Sequence, residues 1–279
     1  MSIQITPSGQ SCGAEIRGLD ISQPLSSEQL TEVRQAWLEH HVLSFPDQHL
    51  DEDQLEQFKL QFGPFGDDPF IAPIPGRKHI IAVQRAANET APVFAEAWHT
   101  DWSFQVHPPI GTCLYGVTIP PTGGDTLFIN QHRVWQDMPD ELKQKAENVR
   151  AIHSAKLAYH PEGQYGKEDA GRSMDIRPDE SAAQTQAHPL IRNHSESGEA
   201  AVYGCAGYII GIEGMEQAAA EQLLMELYLW QTQPQFQYRH QWQPNMLVMW
   251  DNRSVLHMAT GGYDGHARYL LRTTIGATA

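Results

Sequence analysis

The feature that most constrains this chain is a recurrence of short apolar runs broken by proline and glycine. Runs at 80–83, 111–119, 126–129, 202–212, 236–242, 246–250 and 269–275 alternate with punctuation such as Pro120-Pro121-Thr122-Gly123-Gly124 and Gly261-Gly262. Most are strand length and too short for independent helices. Helical periodicity is confined to a few places. Ser27 is placed to cap a helix carrying Leu30, Val33, Trp37 and Leu38, and Val42-Leu43-Ser44-Phe45 follows as a buried strand. Residues 51–62 space Leu55, Phe58 and Phe62 by three and four before Gly63-Pro64, and 213–231 align Met215, Ala219, Leu223, Leu227 and Trp230. Many short strands with few flanking helices predict a mainly β chain, a sandwich or jelly roll rather than a parallel α/β sheet. With no repeat and no linker, residues 1–279 read as a single domain. The polar, glycine-rich stretch at about 155–185 reads as a loop insertion or lid.

Composition removes several classes. The chain has 19 basic and 34 acidic residues, a formal charge of −15, which argues against a nucleic-acid partner because phosphate binding needs a basic face. An anionic ligand must then be captured by a few local cations against the global field. No stretch has the length and apolarity of a membrane span, the first residues lack a secretory pattern, and Cys12, Cys113 and Cys205 form no metal or disulfide motif. A cytoplasmic protein is expected. The sequence leaves the oligomeric state open, a homo-oligomer included.

The most informative segment is Trp98-His99-Thr100-Asp101-Trp102. On extended backbone, alternate side chains share a face, so His99 and Asp101 can reach one ion together. Alone this is weak, since 14 histidines and 34 acids make a chance His-x-Asp common. His257, after the apolar run at 246–250, adds a second imidazole remote in sequence. Two histidines and one carboxylate describe the facial triad of non-haem iron(II) oxygenases, which leaves three coordination positions open. Arg268 and Arg272 follow after a turn that is expected to bring their strand alongside His257. Four residues apart on a strand, they face the same way about 13 Å apart. Two inward cations are costly unless anions meet them, and a guanidinium suits a carboxylate. The bland readings are a surface His-x-Asp, a structural His257 and an exposed edge strand carrying both arginines.

With these residues in place, the chain resembles the taurine dioxygenase-like family of iron(II)/2-oxoglutarate-dependent oxygenases, which includes the aryloxyalkanoate dioxygenases. The resemblance runs from Gly13-Ala14-Glu15-Ile16-Arg17-Gly18-Leu19-Asp20 and Phe62-Gly63 through Trp98-His99-Thr100-Asp101. It continues with Gly123-Gly124-Asp125-Thr126, His188-Pro189-Leu190-Ile191-Arg192, Trp250-Asp251-Asn252-Arg253, His257, Arg268 and Arg272. It implies a double-stranded β-helix (jelly-roll) core, with His99, Asp101 and His257 as iron ligands. Thr126 and Arg268 would hold the distal carboxylate of 2-oxoglutarate, and Arg272 would lie at the substrate end. The implied reaction consumes dioxygen and 2-oxoglutarate, releases succinate and CO2, and hydroxylates a small anionic organic substrate such as a carboxylate or sulfonate. Hydroxylation next to a heteroatom would cleave it. Halogenating relatives lack the carboxylate ligand, so Asp101 favours hydroxylation.

Two positions depart from the taurine-specific pattern: Asp68 and Ala95 stand where those members carry histidine and asparagine. Cys205 likewise lies where relatives commonly show asparagine. Taurine is therefore not the expected substrate. Asp68 and Glu96 would either contact a substrate amine or hydroxyl or be solvated. His107, His132, His153, His188 and His194 read as supporting or surface residues. Trp98, Trp102 and Phe104 either line the pocket or pack the core, and Asn252 and Arg253 support the turn before His257. The rival reading is a zinc hydrolase or lyase using the same His/Asp/His site with a bound water, which leaves Thr126, Arg268 and Arg272 without a task.

Overall fold

The computed structural model describes residues 2–167 and 171–277. Strands β1 (Gln4–Pro7) and β2 (Ala14–Arg17) lead into helix α1 (Ser27–His40), β3 (Val42–Phe45) and helix α2 (Glu52–Leu60). Then come β4 (Ile81–Arg85), β5 (Gly111–Thr118), β6 (Thr126–Asn130), the short helices α3 (Gln131–Gln136) and α4 (Asp140–Ala146), and β7 (Arg150–Ser154). Single-turn helices α5 (Lys156–Tyr159) and α6 (Gln164–Lys167) precede β8 (Thr185–Pro189), β9 (Ile191–Asn193), β10 (Ala200–Val202) and β11 (Ile209–Ile212). Helix α7 (Gln217–Gln231) and strands β12 (Gln237–His240), β13 (Met246–Asp251), β14 (Val255–Ala259) and β15 (Arg268–Ile275) complete the chain.

The strands form a jelly-roll core. A large sheet runs in the order β1-β2-β3-β13-β5-β15-β4, and it is faced by a smaller sheet, β12-β6-β14. β13 shows why the apolar runs are continuous rather than alternating. Leu247 and Met249 pack with Trp37, Phe45 and Phe58 against the helical side, while Met246, Val248 and Trp250 join Phe128 and Leu270 between the sheets. A strand covered on both faces needs apolar residues on both. The same alternation turns Arg268, Leu270 and Arg272 inward on β15. The smaller sheet places Val255 and His257 inward and Leu256 outward, toward α7 and its Leu223 and Leu227.

Local chemistry corrects several sequence-based boundaries. The first helix is capped by Ser26, not Ser27, through a capping box in which Ser26 and Gln29 exchange bonds. Asp51 caps α2 in the same way with Gln54, so that helix begins at 52 and ends at 60 rather than 62. The run at 202–212 is two strands, because Gly204 adopts φ 83° and a Cβ there would lie 2.7 Å from the ring of His153. β15 does not lie alongside β14. It crosses to the large sheet between β5 and β4 and faces His257 across the interior. The 155–185 stretch contains α5, α6 and a 3-10 turn at Glu180–Ala183, and its Tyr159, Tyr165, Met174 and Ala182 pack with Phe70, Trp102 and Tyr208. Residues 168–170 of that stretch lie outside the described residues.

Several histidines are buried in this frame. Burial first, then a neighbouring cation or imidazole, pushes His41, His153 and His240 each down to about 3. They stay neutral in the folded chain where the unfolded chain, with pKa about 6.5, takes up protons. Stability is therefore expected to be level above pH about 6.5 and to fall as pH drops toward 3. The slope from these three groups reaches up to about 4 kcal/mol per pH unit. Urea unfolding across pH 4–8 checks this. A metal-free midpoint unchanged from pH 7 to 4.5 would contradict it.

Candidate active site

The His-x-Asp segment is fixed to the jelly roll by backbone bonds. His99 N–H donates to the His257 carbonyl at 3.0 Å, and His257 N–H donates to the His99 carbonyl at 2.8 Å. Residues 99 and 257 are thus an antiparallel pair, which puts their side chains on one face with ring centroids 4.2 Å apart. Asp101, two residues on, falls on the same face. Trp102 then ends the extended stretch at φ 48°, a region that a bulky side chain occupies only under constraint.

Asp101 Oδ1 is 3.7 Å from His99 Nε2 and 3.7 Å from His257 Nε2. These gaps are too long for hydrogen bonds, so three donor atoms converge without bonding one another. All lie within 4.8 Å of each other, and among the described residues no other trio of His, Cys, Asp or Glu does this. His99 Nδ1 lies 2.9 Å from the Ala97 carbonyl, which can only accept, so the ring proton sits there and the Nε2 lone pair faces the site. Burial, opposed by Asp101, lowers the pKa of His99. Burial and then His99 push His257 down to about 3. Both imidazoles are neutral at pH 7, as metal ligation requires. Burial raises the Asp101 carboxyl, but Arg272, His257, His99 and Thr112 outweigh it and hold the group below its ordinary value. This donor set fits a divalent iron, with two nitrogens, one oxygen and an open side.

Asp101 is oriented from behind. Thr112 Oγ1 donates to Asp101 Oδ2 at 2.6 Å, and Asn252 Nδ2 donates to Thr112 Oγ1 at 3.0 Å. Trp250 Nε1 in turn donates to Asn252 Oδ1 at 2.9 Å, and Thr100 Oγ1 donates to the Asn252 carbonyl at 2.7 Å. Asn252, expected from the sequence to support the turn before His257, thus also braces the Asp101 carboxylate through Thr112. Arg253 binds Asp251 and Glu196 and sits farther out. Sequence reasoning missed Thr112. Its one signal is a hydroxyl within an otherwise apolar buried strand, where a polar group must find a partner.

The two arginines have different surroundings. Arg268 is buried, donates from Nη2 to the Gly124 carbonyl at 3.2 Å, and has no partner at Nε. Among the described residues no carboxylate lies within 4 Å of it, and burial pulls its pKa down to about 10. Gly124, at φ 69°, makes room for it, since a Cβ there would sit 3.2 Å from its Nε, while Gly123 at the same φ lets the turn pack on the backbone of Gly262. Trp242 links it to Thr126: the indole N–H donates to Thr126 Oγ1 at 3.0 Å, and the guanidinium lies 5.8 Å from the ring centroid. Arg272 instead donates to Asp68 at 2.5 Å and lies 3.5 Å from Asp101 Oδ1.

A cavity of about 90 Å³ opens over His99, Asp101 and Arg272, walled by Trp102, Tyr159 and Tyr208. Glu96 is exposed at its rim, whereas Asp68 is neither solvated nor on the cavity wall. Ala95 lies on the wall, and Cys205 lies away from it, donating to the Trp98 carbonyl. Trp98 packs in the core beside α7, whereas Phe104 packs on Trp102 and Tyr208. His132, His153, His188 and His194 hydrogen-bond to other groups and do not join the trio, and His107 is exposed.

A jelly roll that gathers two imidazoles and a carboxylate beneath an open cavity, with a buried unpaired arginine on its inner wall, has the build of a non-haem iron oxygenase. The model of the Taurine catabolism dioxygenase TauD, TfdA family matches residues 4–274, and the chain belongs to that family. It is an oxidoreductase of the iron(II)- and 2-oxoglutarate-dependent dioxygenase class. It is 32% identical over 287 residues to the alpha-ketoglutarate-dependent 2,4-dichlorophenoxyacetate dioxygenase of Cupriavidus pinatubonensis, covering 98% of this chain and 96% of that one. It is 31% identical to an alkylsulfatase of Acinetobacter baylyi, covering 94% and 81%. A crystal structure described as a putative alpha-ketoglutarate-dependent taurine dioxygenase from Burkholderia xenovorans superposes with a TM-score of 0.82 at 31% identity, covering 99% and 93%. None of these supports the zinc hydrolase, which also leaves the buried charge of Arg268 unexplained.

Thr112→Val should leave the fold intact and free Asp101 Oδ2. Weakening of iron(II) or manganese(II) affinity by about 10- to 100-fold is expected, the usual effect of losing an outer partner of a metal ligand. Anaerobic metal titration checks this, and unchanged affinity would remove Thr112 from the site.

Proposed function

We propose that His99, Asp101 and His257 hold iron(II), that Thr126 and Arg268 bind the distal carboxylate of 2-oxoglutarate, and that the cavity at Arg272 receives a small anionic organic acid for hydroxylation. The convergence of three unbonded donor atoms carries this reading. Iron(II), when bound there, supplies activation of dioxygen coupled to conversion of 2-oxoglutarate into succinate and CO2.

The chain's own residues do the rest. Arg268 offers a desolvated cation with a free N–H and, among the described residues, no carboxylate within 4 Å, which suits a carboxylate group arriving from solvent. The Thr126 hydroxyl already accepts the Trp242 N–H, so its own proton is available to that carboxylate. His99 keeps its ligating tautomer through Ala97, and Asp101 keeps its ligating oxygen turned inward through Thr112. Trp102, Tyr159 and Tyr208 shield the reacting carbon from bulk water.

The 155–185 segment acts in this reading as a lid, because Tyr159 and Tyr165 reach from it onto the cavity wall. No described helix is long and apolar enough to cross a membrane, and three buried free cysteines suit the reducing cytoplasm in which we place the protein.

The test is anaerobic titration of the metal-free protein with iron(II) and then 2-oxoglutarate, followed in the visible region. A weak charge-transfer band is expected, with Arg268→Gln raising the 2-oxoglutarate Kd by about 30-fold or more and Asp101→Ala abolishing succinate formation. Metal binding without a band would overturn the reading. Unchanged 2-oxoglutarate affinity in Arg268→Gln would overturn the role of that arginine.

A further inference from the structure

Arg268 and Arg272 face the same interior from one strand, yet only one is an uncompensated cation. Asp68 Oδ1 accepts both Arg272 Nη2–H at 2.5 Å and Trp102 Nε1–H at 2.8 Å. On its other side, Arg272 Nη1 is 3.5 Å from Asp101 Oδ1. The side chains of Arg272, Asp68 and Asp101 are 6%, 8% and 3% exposed, so water does little to screen them from one another. The indole of Trp102 covers the guanidinium at 5.0 Å, held by the same bond to Asp68. Asp68 is therefore a fixed buried counter-ion behind the guanidinium that faces the substrate cavity.

A head group approaching Arg272 meets a cation whose long-range field is already offset. What remains is the short-range hydrogen bonding of the guanidinium N–H groups not taken by Asp68. Acids differ in how they use these two contributions. A sulfonate or sulfate spreads one charge over three weakly basic oxygens and depends on the cation's field. A carboxylate concentrates its charge on two more basic oxygens and makes the stronger individual hydrogen bonds.

We propose that Asp68 is a specificity-determining residue which, by compensating Arg272, sets the cavity to prefer carboxylates over sulfonates and sulfate esters. Asp68 is a positioning residue, acting on substrate through Arg272 and Trp102. The inference rests on the assignment of this cavity as the substrate site.

The test uses the iron(II)- and 2-oxoglutarate-loaded enzyme without oxygen, with phenylacetate and phenylmethanesulfonate as matched probes for a cavity walled by aromatic rings. Dissociation constants are read from the perturbed visible band and from the thermal midpoint, so no turnover is needed. The wild-type protein should bind phenylacetate about tenfold or more tightly than the sulfonate. Asp68→Asn should tighten the sulfonate by about 10- to 100-fold and narrow the ratio, as expected if a charge-assisted bond to Arg272 is released. Asp68→Glu, which keeps the charge, should hold the wild-type preference. If Asp68→Asn does not load iron and 2-oxoglutarate, Asp68→Ser carries the same expectation.

Equal or tighter sulfonate binding by the wild type overturns the proposal. So does an unchanged ratio in the uncharged variants, or failure of both probes to bind any form. A missing band before either probe is added would instead count against the dioxygenase site itself, so the two failures are distinguishable. A merely structural role for Asp68 would shift the thermal midpoint without changing the ratio between the two acids.

Discussion

Two backbone hydrogen bonds between residues 99 and 257 carry the geometry on which the site depends. Residue 99 lies on a connection between strands of the large sheet, whereas residue 257 lies on β14, an outer strand of the smaller sheet. Pairing them makes the loop a short extension of the strand and aligns both imidazoles on one face. Asp101, two residues on where the chain enters a turn, comes to the same point. The carboxylate is turned inward by Thr112, itself held by Asn252, so rigid strands specify the donor atoms although two of them come from a connecting segment.

β15 shows how one sequence pattern can yield two kinds of charge. Arg268 and Arg272 share a strand face, but the first meets the backbone carbonyl of Gly124, while the second meets carboxylates from two other segments. One cation is left wanting an anion and the other has been supplied with one. The difference resides in the environment each loop delivers, not in the residue itself.

Much of this was legible in the sequence where a local rule governs it. Apolar runs doubly covered in the fold announce the jelly roll, and His99 and Asp101 could be paired by strand periodicity. The motif order pointed to the family that the chain belongs to. Features set by distant packing were not legible. Asp68 gives no local sign of standing behind Arg272, and the turn after His257 did not disclose that β15 would cross to the opposite sheet. The 155–185 stretch looked structureless because its order comes from Tyr159, Tyr165 and Met174 packing on Phe70 and Trp102, not from helical periodicity. The cap on α1 was misplaced by one residue because two adjacent serines offer the same hydroxyl, and only reciprocal bonding to Gln29 distinguishes them.

The strand order also bears on how the protein comes into being. In the large sheet β13 inserts between β3 and β5, and β15 inserts between β5 and β4, so β4 and β5 find their neighbours, and β3 its second one, only when the last part of the chain arrives. During synthesis the N-terminal strands must wait with open edges, a state exposed to mispairing. His99 and Asp101 emerge long before His257 and can offer a passing ion only two ligands. On the proposed assignment the third ligand joins only when β14 docks, so a competent metal centre would be a late product of folding rather than a nucleus for it.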